Sequence, residues 1–215
     1  MLVVVLDLTQ VFYIMLHKAG QVMTLMAIER LKIQYGTSFA YPISSIGSHV
    51  SVTPNHQVYR LTPLHTRANV AYFGTFGYEL DLNKLTPAEQ EEVKEQIKFM
   101  KEYREVFQFG TFYRLSSPFE NNVTAWMVVS EDKETAIVGW YRVLNGINLP
   151  YSRIYLQGLN PDFCYKQNID GNCYYGDELM NIGLVIDDPS AGQVSSDMPT
   201  SCDFDSKVYV LKATK

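Results

Sequence analysis

Residues 86–107, TPAEQEEVKEQIKFMKEYREVF, predict a long helix at the point where the character of the sequence changes. Thr86 suits the N-cap, a proline follows at the first helical position, and Glu89 completes a T-x-x-E capping box. One face of this helix is charged, and Glu95 and Lys98 on it are spaced to form an ion pair. The mostly apolar face recurs at helical spacing through Val93, Ile97, Met100, Arg104 and Phe107.

The sequence after this helix predicts a series of short strands. Val, Tyr, Trp and Ile are frequent there, and Gly, Pro, Asn and Asp separate the runs. The predicted strands are residues 113–115, 124–130, 135–144, 153–159 and 207–211. Short strands at this spacing are typical of an antiparallel β-sandwich. We therefore expect a boundary near Phe109, with an all-β domain in residues 109–215.

The sequence before the helix mixes helical and strand patterns. Residues 27–35 have apolar positions at helical spacing, and Gly36 is suited to ending that helix. Residues 43–50 predict a strand that runs into a loop, and residues 78–82 alternate between apolar and acidic side chains. Residues 27–108 are therefore expected to be α/β.

Composition excludes several classes of protein and of partner. The 215 residues contain 18 Lys and Arg against 23 Asp and Glu, which gives a formal net charge of −5. This mild acidity argues against nucleic acid and against an anionic membrane, since both attract a basic patch. The apolar run in residues 1–18 is interrupted by Asp7 and is shorter than a membrane span. Three cysteines without C-x-x-C spacing, Cys164, Cys173 and Cys202, favour a reduced compartment.

Polar residues before the long helix allow several kinds of chemistry. Residues 47–57 and 60–67 are expected either to line a pocket or to satisfy backbone groups within a loop. Glu79 and Asp81 are either a catalytic carboxylate pair or a face paired with arginine. The histidines are too widely spaced to predict a metal site: His49, His56 and His65. Similarly, Trp126 and Trp140 could stack on sugars, but aromatic residues on alternating strands are more often core.

Five longer segments resemble one family of enzymes. The segments are AIERLKIQYGTSFAYP (27–42), GSHVSVTPNHQVYRLTPLHTRANVAYFGTFGYELDL (47–82), FGTFYRLSSPFENNVTAWMVVSEDKETAIVGWYRVL (109–144), YGDELM (175–180) and VYVLK (208–212). Together they resemble the bacterial α-galactosidases of family 36 of the glycoside hydrolases. The resemblance extends from residue 27 to residue 215 without a large gap.

The resemblance implies a fold and a place for the site. Family members have an N-terminal β-domain, a central (β/α)₈ TIM barrel and a C-terminal antiparallel β-sandwich domain. The chain is expected to contain the last part of the barrel, with residues 43–50 as about the seventh strand and residues 76–82 as about the eighth. Because barrel active sites lie at the C-terminal ends of the strands, Ser48, His49 and Asn55 are the expected substrate-pocket residues.

The resemblance also implies an activity that this chain should lack on its own. The family hydrolyses terminal α-D-galactosides such as melibiose and raffinose with retention, using one aspartate as nucleophile and another as acid and base. The nucleophile belongs to a K-W-D-type motif and the acid/base to an S-D-D-T-D-like motif before AIERL, and both are absent here. The family needs no metal or cofactor, and its intact members are often homo-oligomers. The net charge of −5 and the reduced compartment fit a cytoplasmic enzyme. Two alternatives stay open: a non-catalytic carbohydrate-binding or interaction β-domain, and complementation by a separate upstream polypeptide.

Residues 1–26 are interpreted as a frameshifted, non-native segment. With free choice of codons, reading residues 1–13 two bases out of frame gives A-G-G-G-A-R-F-D-P-G-V-L, and residues 22–26 can encode D-D-T-D. Both match what family members have before AIERL. A DNA sequence that lacks these shifted codons would refute the interpretation. We also expect low solubility, because part of a barrel leaves strand edges unpaired.

Overall fold

The computed structural model describes residues 26–55, 59–145, 152–187 and 203–214. The helices are α1 (Ala27–Thr37), α2 (Leu64–Ala71), α3 (Pro87–Phe109) and α4 (Gly176–Asn181), and 3₁₀ turns occupy Ile43–Ser45 and Leu82–Lys84. The strands are β1 (Gly47–Ser51), β2 (Thr75–Glu79), β3 (Thr111–Ser116), β4 (Val123–Val129), β5 (Thr135–Arg142), β6 (Ser152–Ile154), β7 (Cys164–Gln167), β8 (Cys173–Tyr175), β9 (Leu184–Asp187) and β10 (Asp205–Thr214). Apart from Met26, the segment interpreted as frameshifted lies outside the described residues.

Strands β1 and β2 are parallel and are connected through α2. Their register pairs Gly47 with Thr75 and Ser51 with Glu79. A strand, a crossover helix and a second parallel strand form the repeating unit of a (β/α)₈ barrel. The structure therefore confirms the expected barrel remnant. Among the described residues, β1 and β2 pair with each other and with no third strand.

The second half of the chain contains two antiparallel sheets. The larger has six strands in the order β3-β4-β5-β10-β7-β8, and the smaller pairs β6 with β9. Side chains of the two sheets share one core, in which Met127 and Val138 of the large sheet meet Ile154 and Leu184 of the small one. The expected antiparallel β-domain is confirmed, and β4 and β5 are buried at every position after their first residue.

The other face of the six-stranded sheet packs on the barrel remnant. Trp126 and Tyr141 belong to the same core cluster as Phe73 and Phe107, which precede the sheet in the chain. Trp126 and Trp140, the two tryptophans that could have stacked on sugars, are both buried in cores. The helix α3 ends at Phe109, where the sequence predicts a boundary. The division into residues 27–108 and 109–215 stays a prediction, because the two parts share this core.

Several elements differ from the prediction for identifiable reasons. The buried stripe of α3 runs through Val93, Gln96, Met100 and Phe107, whereas Ile97 and Arg104 of the predicted face are exposed. Gln96 takes the place of Ile97 in this stripe, and its amide oxygen accepts a hydrogen bond from the Tyr78 hydroxyl at 2.8 Å. Helix α1 continues past Gly36 and ends at Thr37. Residues 43–45, predicted as the start of a strand, form a 3₁₀ turn before β1. Residues 64–71, within a segment expected to be a pocket or a loop, form a helix.

In the second half of the chain, one predicted strand is shorter than expected, and several short elements form that the sequence did not predict. Within the predicted strand 153–159, pairing ends at Ile154, although Leu156 and Leu159 remain buried. The short elements β7, β8, β9 and α4 are not predicted by the sequence pattern. A disulfide joins Cys164 to Cys173 across β7 and β8, which the expectation of a reduced compartment did not foresee. Among the described residues, no helix is long and apolar enough to cross a membrane.

The capping box at the start of α3 gives a direct test of this helix. The Glu89 amide donates to Thr86 Oγ1 at 3.3 Å, and Glu89 Oε2 accepts from the Thr86 amide at 2.8 Å. Thr86→Ala is expected to lower the free energy of unfolding by about 1 kcal/mol, measured by urea denaturation. Lys101→Ala, an exposed substitution in the same helix, is the control and should change it by less than about 0.5 kcal/mol. Equal effects of the two substitutions would contradict the capping role.

Candidate functional site

The two faces of the β1–β2 sheet have different surroundings. Ser48 and Val50 point to the side on which the helices pack, and Val50 belongs to the core cluster there. His49 lies on the opposite face because successive side chains alternate along a strand. A Cβ at Gly77, its register partner, would come within 2.9 Å of His49 Cδ2, so glycine leaves room for the imidazole. The face with His49 corresponds to the inside of a barrel.

The structure separates the three expected pocket residues. Ser48 is fully buried on the helix side, and its hydroxyl has no hydrogen-bond partner among the described residues. His49 is partly exposed on the other face. Asn55 is buried beyond the end of β1, where its amide donates to the Arg60 carbonyl at 3.1 Å and its carbonyl accepts from the Tyr59 amide at 2.7 Å. His49 thus lies on the inner face, Ser48 behind it, and Asn55 in the loop above.

Glu79 is a site residue that is absent from the pocket residues expected from the sequence. It ends β2, on the same face as His49, and its Oε2 is buried without a hydrogen-bond partner among the described residues. Asp81, its partner in the alternative of a catalytic pair, lies beyond the strand, and its carboxylate accepts from the Asn83 amide at 3.0 Å. The alternation in residues 78–82 contains the signal for Glu79, but it does not show where the strand ends.

A buried arginine accompanies Glu79 and His49. The guanidinium of Arg30 donates to the Gly47 carbonyl at 3.0 and 3.4 Å, at the start of β1. Burial lowers the pKa of Arg30 to about 10, and the Glu79 charge acts in the opposite direction. Burial is the main cause that lowers the pKa of His49, and the positive charge of Arg30 lowers it further. The negative charge of Glu79 acts in the opposite direction. The charges of Arg30 and Glu79 therefore act on His49 in opposite directions.

The state of His49 can be measured directly. Glu79→Gln removes the anion that raises the pKa of His49, so this pKa, already below its ordinary 6.5, is expected to fall further. Imidazole NMR titration of the two proteins checks this shift. His65, which lies on α2, serves as the internal control. An increase or no change in the pKa of His49 would show that Glu79 does not act on it.

A second arginine holds the other end of β1. Arg67 of α2 is buried, and its Nε donates to the Thr62 carbonyl at 3.1 Å while Nη1 donates to the Ser51 carbonyl. Burial lowers the pKa of Arg67, and the charge of Glu89 acts against this effect. Arg67 therefore connects the end of β1 to Thr62, and the carboxylates that act on its charge are Glu89 and Glu92 rather than those of residues 79 and 81.

No group of three or more His, Cys, Asp or Glu side chains within the described ranges could hold a metal ion. His49 and His65 lie in different elements, and His56 lies outside the described residues. Within the described part of the chain, the polar groups on the inner face of β1 and β2 include no pair of carboxylates placed to act as nucleophile and acid.

Two family models match consecutive parts of the chain. The Melibiase model matches residues 14–110, and the model of the glycosyl hydrolase family 36 C-terminal domain matches residues 123–211. Their junction falls close to the end of α3.

Curated relatives and solved structures agree with these matches. The α-galactosidase AgaA of Geobacillus stearothermophilus is 48% identical over 190 residues, and Mel36A of Lactobacillus acidophilus is 44% identical over 187. The alignments cover 88% and 87% of this chain but 24% of each relative. Among solved structures, AgaA in complex with raffinose superposes with a TM-score of 0.80 at 48% identity, covering 88% of this chain and 25% of that one.

A further structure, the α-galactosidase of Lactobacillus brevis, superposes with a TM-score of 0.81 at 47% identity, with the same coverage of 88% and 25%. The chain thus spans about a quarter of the length of the relatives it matches. Two adjoining family models, high identity and an agreeing fold all lead to one assignment. The chain belongs to family 36 of the glycoside hydrolases, the family of these α-galactosidases.

Proposed function

We propose that this chain supplies the last β/α units and the C-terminal domain of an α-galactosidase that hydrolyses terminal, non-reducing α-D-galactosides with retention. The family assignment and the raffinose and stachyose complexes of solved relatives support a substrate of the raffinose type. The parallel β1–α2–β2 unit is the observation that carries the proposal, because it presents part of a barrel's inner face.

We further propose that the chain is inactive alone. A (β/α)₈ barrel closes with eight strands, and the described residues supply two of them. They therefore form one side of the cavity in which the sugar would bind. The sequence also lacks the motifs that carry the nucleophile and the acid/base aspartates. Hydrolysis of a chromogenic α-galactoside by the purified chain tests this proposal.

The residues of this chain would bind and orient the substrate, without forming a covalent bond to it. Ser51 and Glu79 are register partners at the C-terminal ends of β1 and β2, where barrel enzymes bind substrate. His49 lies one layer deeper on the same face. With Arg30 balancing Glu79, this side of the pocket offers hydrogen bonds to sugar hydroxyls without a large net charge.

We also propose an oligomeric state and a location for the enzyme. Assembly into a homo-oligomer follows the habit of the family. A cytoplasmic location fits the mild acidity of the chain, but the disulfide between Cys164 and Cys173 weighs against a reduced compartment. Counting free thiols in the protein purified without reductant, before and after reduction, would decide whether this disulfide forms.

A further inference from the structure

The six-stranded sheet presents a row of polar side chains to α2. Ser206 of β10 is the register partner of Tyr141 in β5, and Tyr141 is in turn the register partner of Thr124 in β4. Because directly opposite residues of antiparallel strands share a face, these three side chains lie on one side of the sheet. The Tyr141 hydroxyl donates to the Asn69 carbonyl of α2 at 2.7 Å, so this is the side on which α2 packs.

Ser206 lies at the centre of a buried series of hydrogen bonds between this row and α2. The side-chain amide of Asn69 donates to Ser206 Oγ at 2.9 Å, and Ser206 Oγ donates to Thr66 Oγ1 at 3.0 Å. Thr66 Oγ1 in turn donates to the Phe204 carbonyl at 2.7 Å. Each of the two hydroxyl groups thus donates once and accepts once. A buried network in which every member is satisfied holds its groups in one arrangement.

Helix α2 depends on such contacts for its position. It has eight residues, and its N-cap, Pro63, makes no side-chain capping hydrogen bond. A helix this short is not stable in water by itself, so tertiary contacts decide where it lies. The hydrogen bonds of Thr66 and Asn69 to residues 204 and 206 are contacts of this kind.

Arg67 connects the position of α2 to the end of β1. Successive residues of a helix are about 100° apart around its axis, so Arg67 points away from the side that Thr66 and Asn69 share. Its buried guanidinium donates to the Ser51 carbonyl, at the C-terminal end of β1, and to the Thr62 carbonyl at 3.1 Å. A planar guanidinium that bridges two carbonyls fixes both of them. A shift of α2 would therefore move the end of β1 and the loop after it.

We propose that Ser206 is a positioning residue for the substrate cavity. It holds α2 against the β-domain, and Arg67 of α2 then sets the place of Ser51 at the C-terminal end of β1. This inference rests on the proposed function, because the end of β1 borders a substrate only where the chain forms one side of a barrel. It assigns the β-domain a role in the geometry of the cavity, exerted from the helix side of β1.

Hydrogen exchange of the whole chain tests the positioning without any catalysis. The reporters are the amides of Asn55 and Thr62, which make hydrogen bonds in the loop after β1. The comparator is the Thr75 amide, which makes its hydrogen bond at the opposite end of the β1–β2 pair. Ser206→Ala is expected to raise exchange of the reporters about fivefold relative to the comparator. An equal acceleration of all three amides, or no acceleration, would overturn the proposal.

Two further variants separate the route through Arg67 from a general loss of stability. Thr124→Val is the matched control, because Thr124 Oγ1 is buried in the same row without a partner among the described residues, and the exchange ratio should stay unchanged. Arg67→Lys keeps the positive charge but loses the planar fork, so adding Ser206→Ala to it should raise the ratio by less than about twofold. A full fivefold increase there, or in Thr124→Val, would show that Ser206 does not act through Arg67. Should Arg67→Lys fail to fold, the ratios in the two single variants still decide.

Kinetics of the completed enzyme test the consequence for the substrate. In the chain co-expressed with the first three quarters of the G. stearothermophilus relative, Ser206→Ala is expected to raise KM about threefold and to leave kcat within about twofold. The reason is that a displaced end of β1 binds substrate and transition state equally less well. An unchanged KM would overturn the role in the cavity. Absence of turnover from the wild-type pair would instead count against the proposed function, and the exchange ratio would still decide whether Ser206 holds the end of β1.

Discussion

No hydrolysis of a chromogenic α-galactoside above the buffer rate is the result expected from the purified 215-residue chain. A retaining glycosidase needs a nucleophile and an acid/base on opposite sides of the glycosidic bond, and neither family motif is present. Under identical conditions we expect at least about 10⁴-fold less turnover than from the G. stearothermophilus relative. The measurement is a steady-state assay of chain purified from a host that lacks its own α-galactosidase.

A second arm of the assay separates incompleteness from misfolding. The chain is co-expressed with a polypeptide that covers the first three quarters of the same relative, and co-purification and turnover are recorded separately. Association with recovered turnover is expected, because the inner face of β1 and β2 then has a partner. As a matched control, Glu79→Gln should associate like the wild type but recover less turnover. Measurable turnover by the chain alone, traceable to the chain itself, would refute the proposed inactivity.

The parts of the fold that sequence could predict are those fixed by local physics. The start of α3 follows from the chemistry of Thr86 and Glu89, and the ion pair of Glu95 with Lys98 follows from their spacing, at 3.8 Å in the structure. Strands β4 and β5 were predicted because long apolar runs form where a sheet is covered on both faces. These signals do not depend on distant residues.

The parts that sequence did not predict depend on distant contacts. Leu156 and Leu159 look like strand residues because they are buried, yet the Leu156 amide donates to the Leu179 carbonyl rather than to a sheet partner. Likewise, the motif around Ser48 and His49 indicated a pocket, but it did not show which of the two side chains faces it. Ser48 lies behind β1 because α2 packs on that side, and α2 is held there by Phe204 and Ser206, about 140 residues later in the chain.

Trp126→Ala is expected to destabilise the fold far more than the loss of the helix cap at Thr86. Trp126 is fully buried, and its ring lies 5.7 Å from that of Phe73 and 5.1 Å from that of Tyr141, centroid to centroid. Removing it leaves a cavity that a packed sheet does not fill, at a cost of about 3–5 kcal/mol in the free energy of unfolding. Urea denaturation followed by circular dichroism gives this difference. Phe119→Ala, at a mostly exposed aromatic between β3 and β4, is the control and should cost far less.

The same substitution decides whether the barrel remnant and the β-domain are separate units. Phe73 precedes β2, whereas Tyr141 belongs to β5, so Trp126 connects the two parts through one core. If they fold cooperatively, hydrogen exchange in Trp126→Ala should accelerate by a similar factor in the amides of α2 and of β5. If residues 109–215 form an independent domain, protection should fall in β5 while α2 stays as it was. That outcome would show that the predicted boundary near Phe109 divides two independent units. In the urea experiment, a loss of less than about 1 kcal/mol in the free energy of unfolding would show that the core around Trp126 is not packed as described.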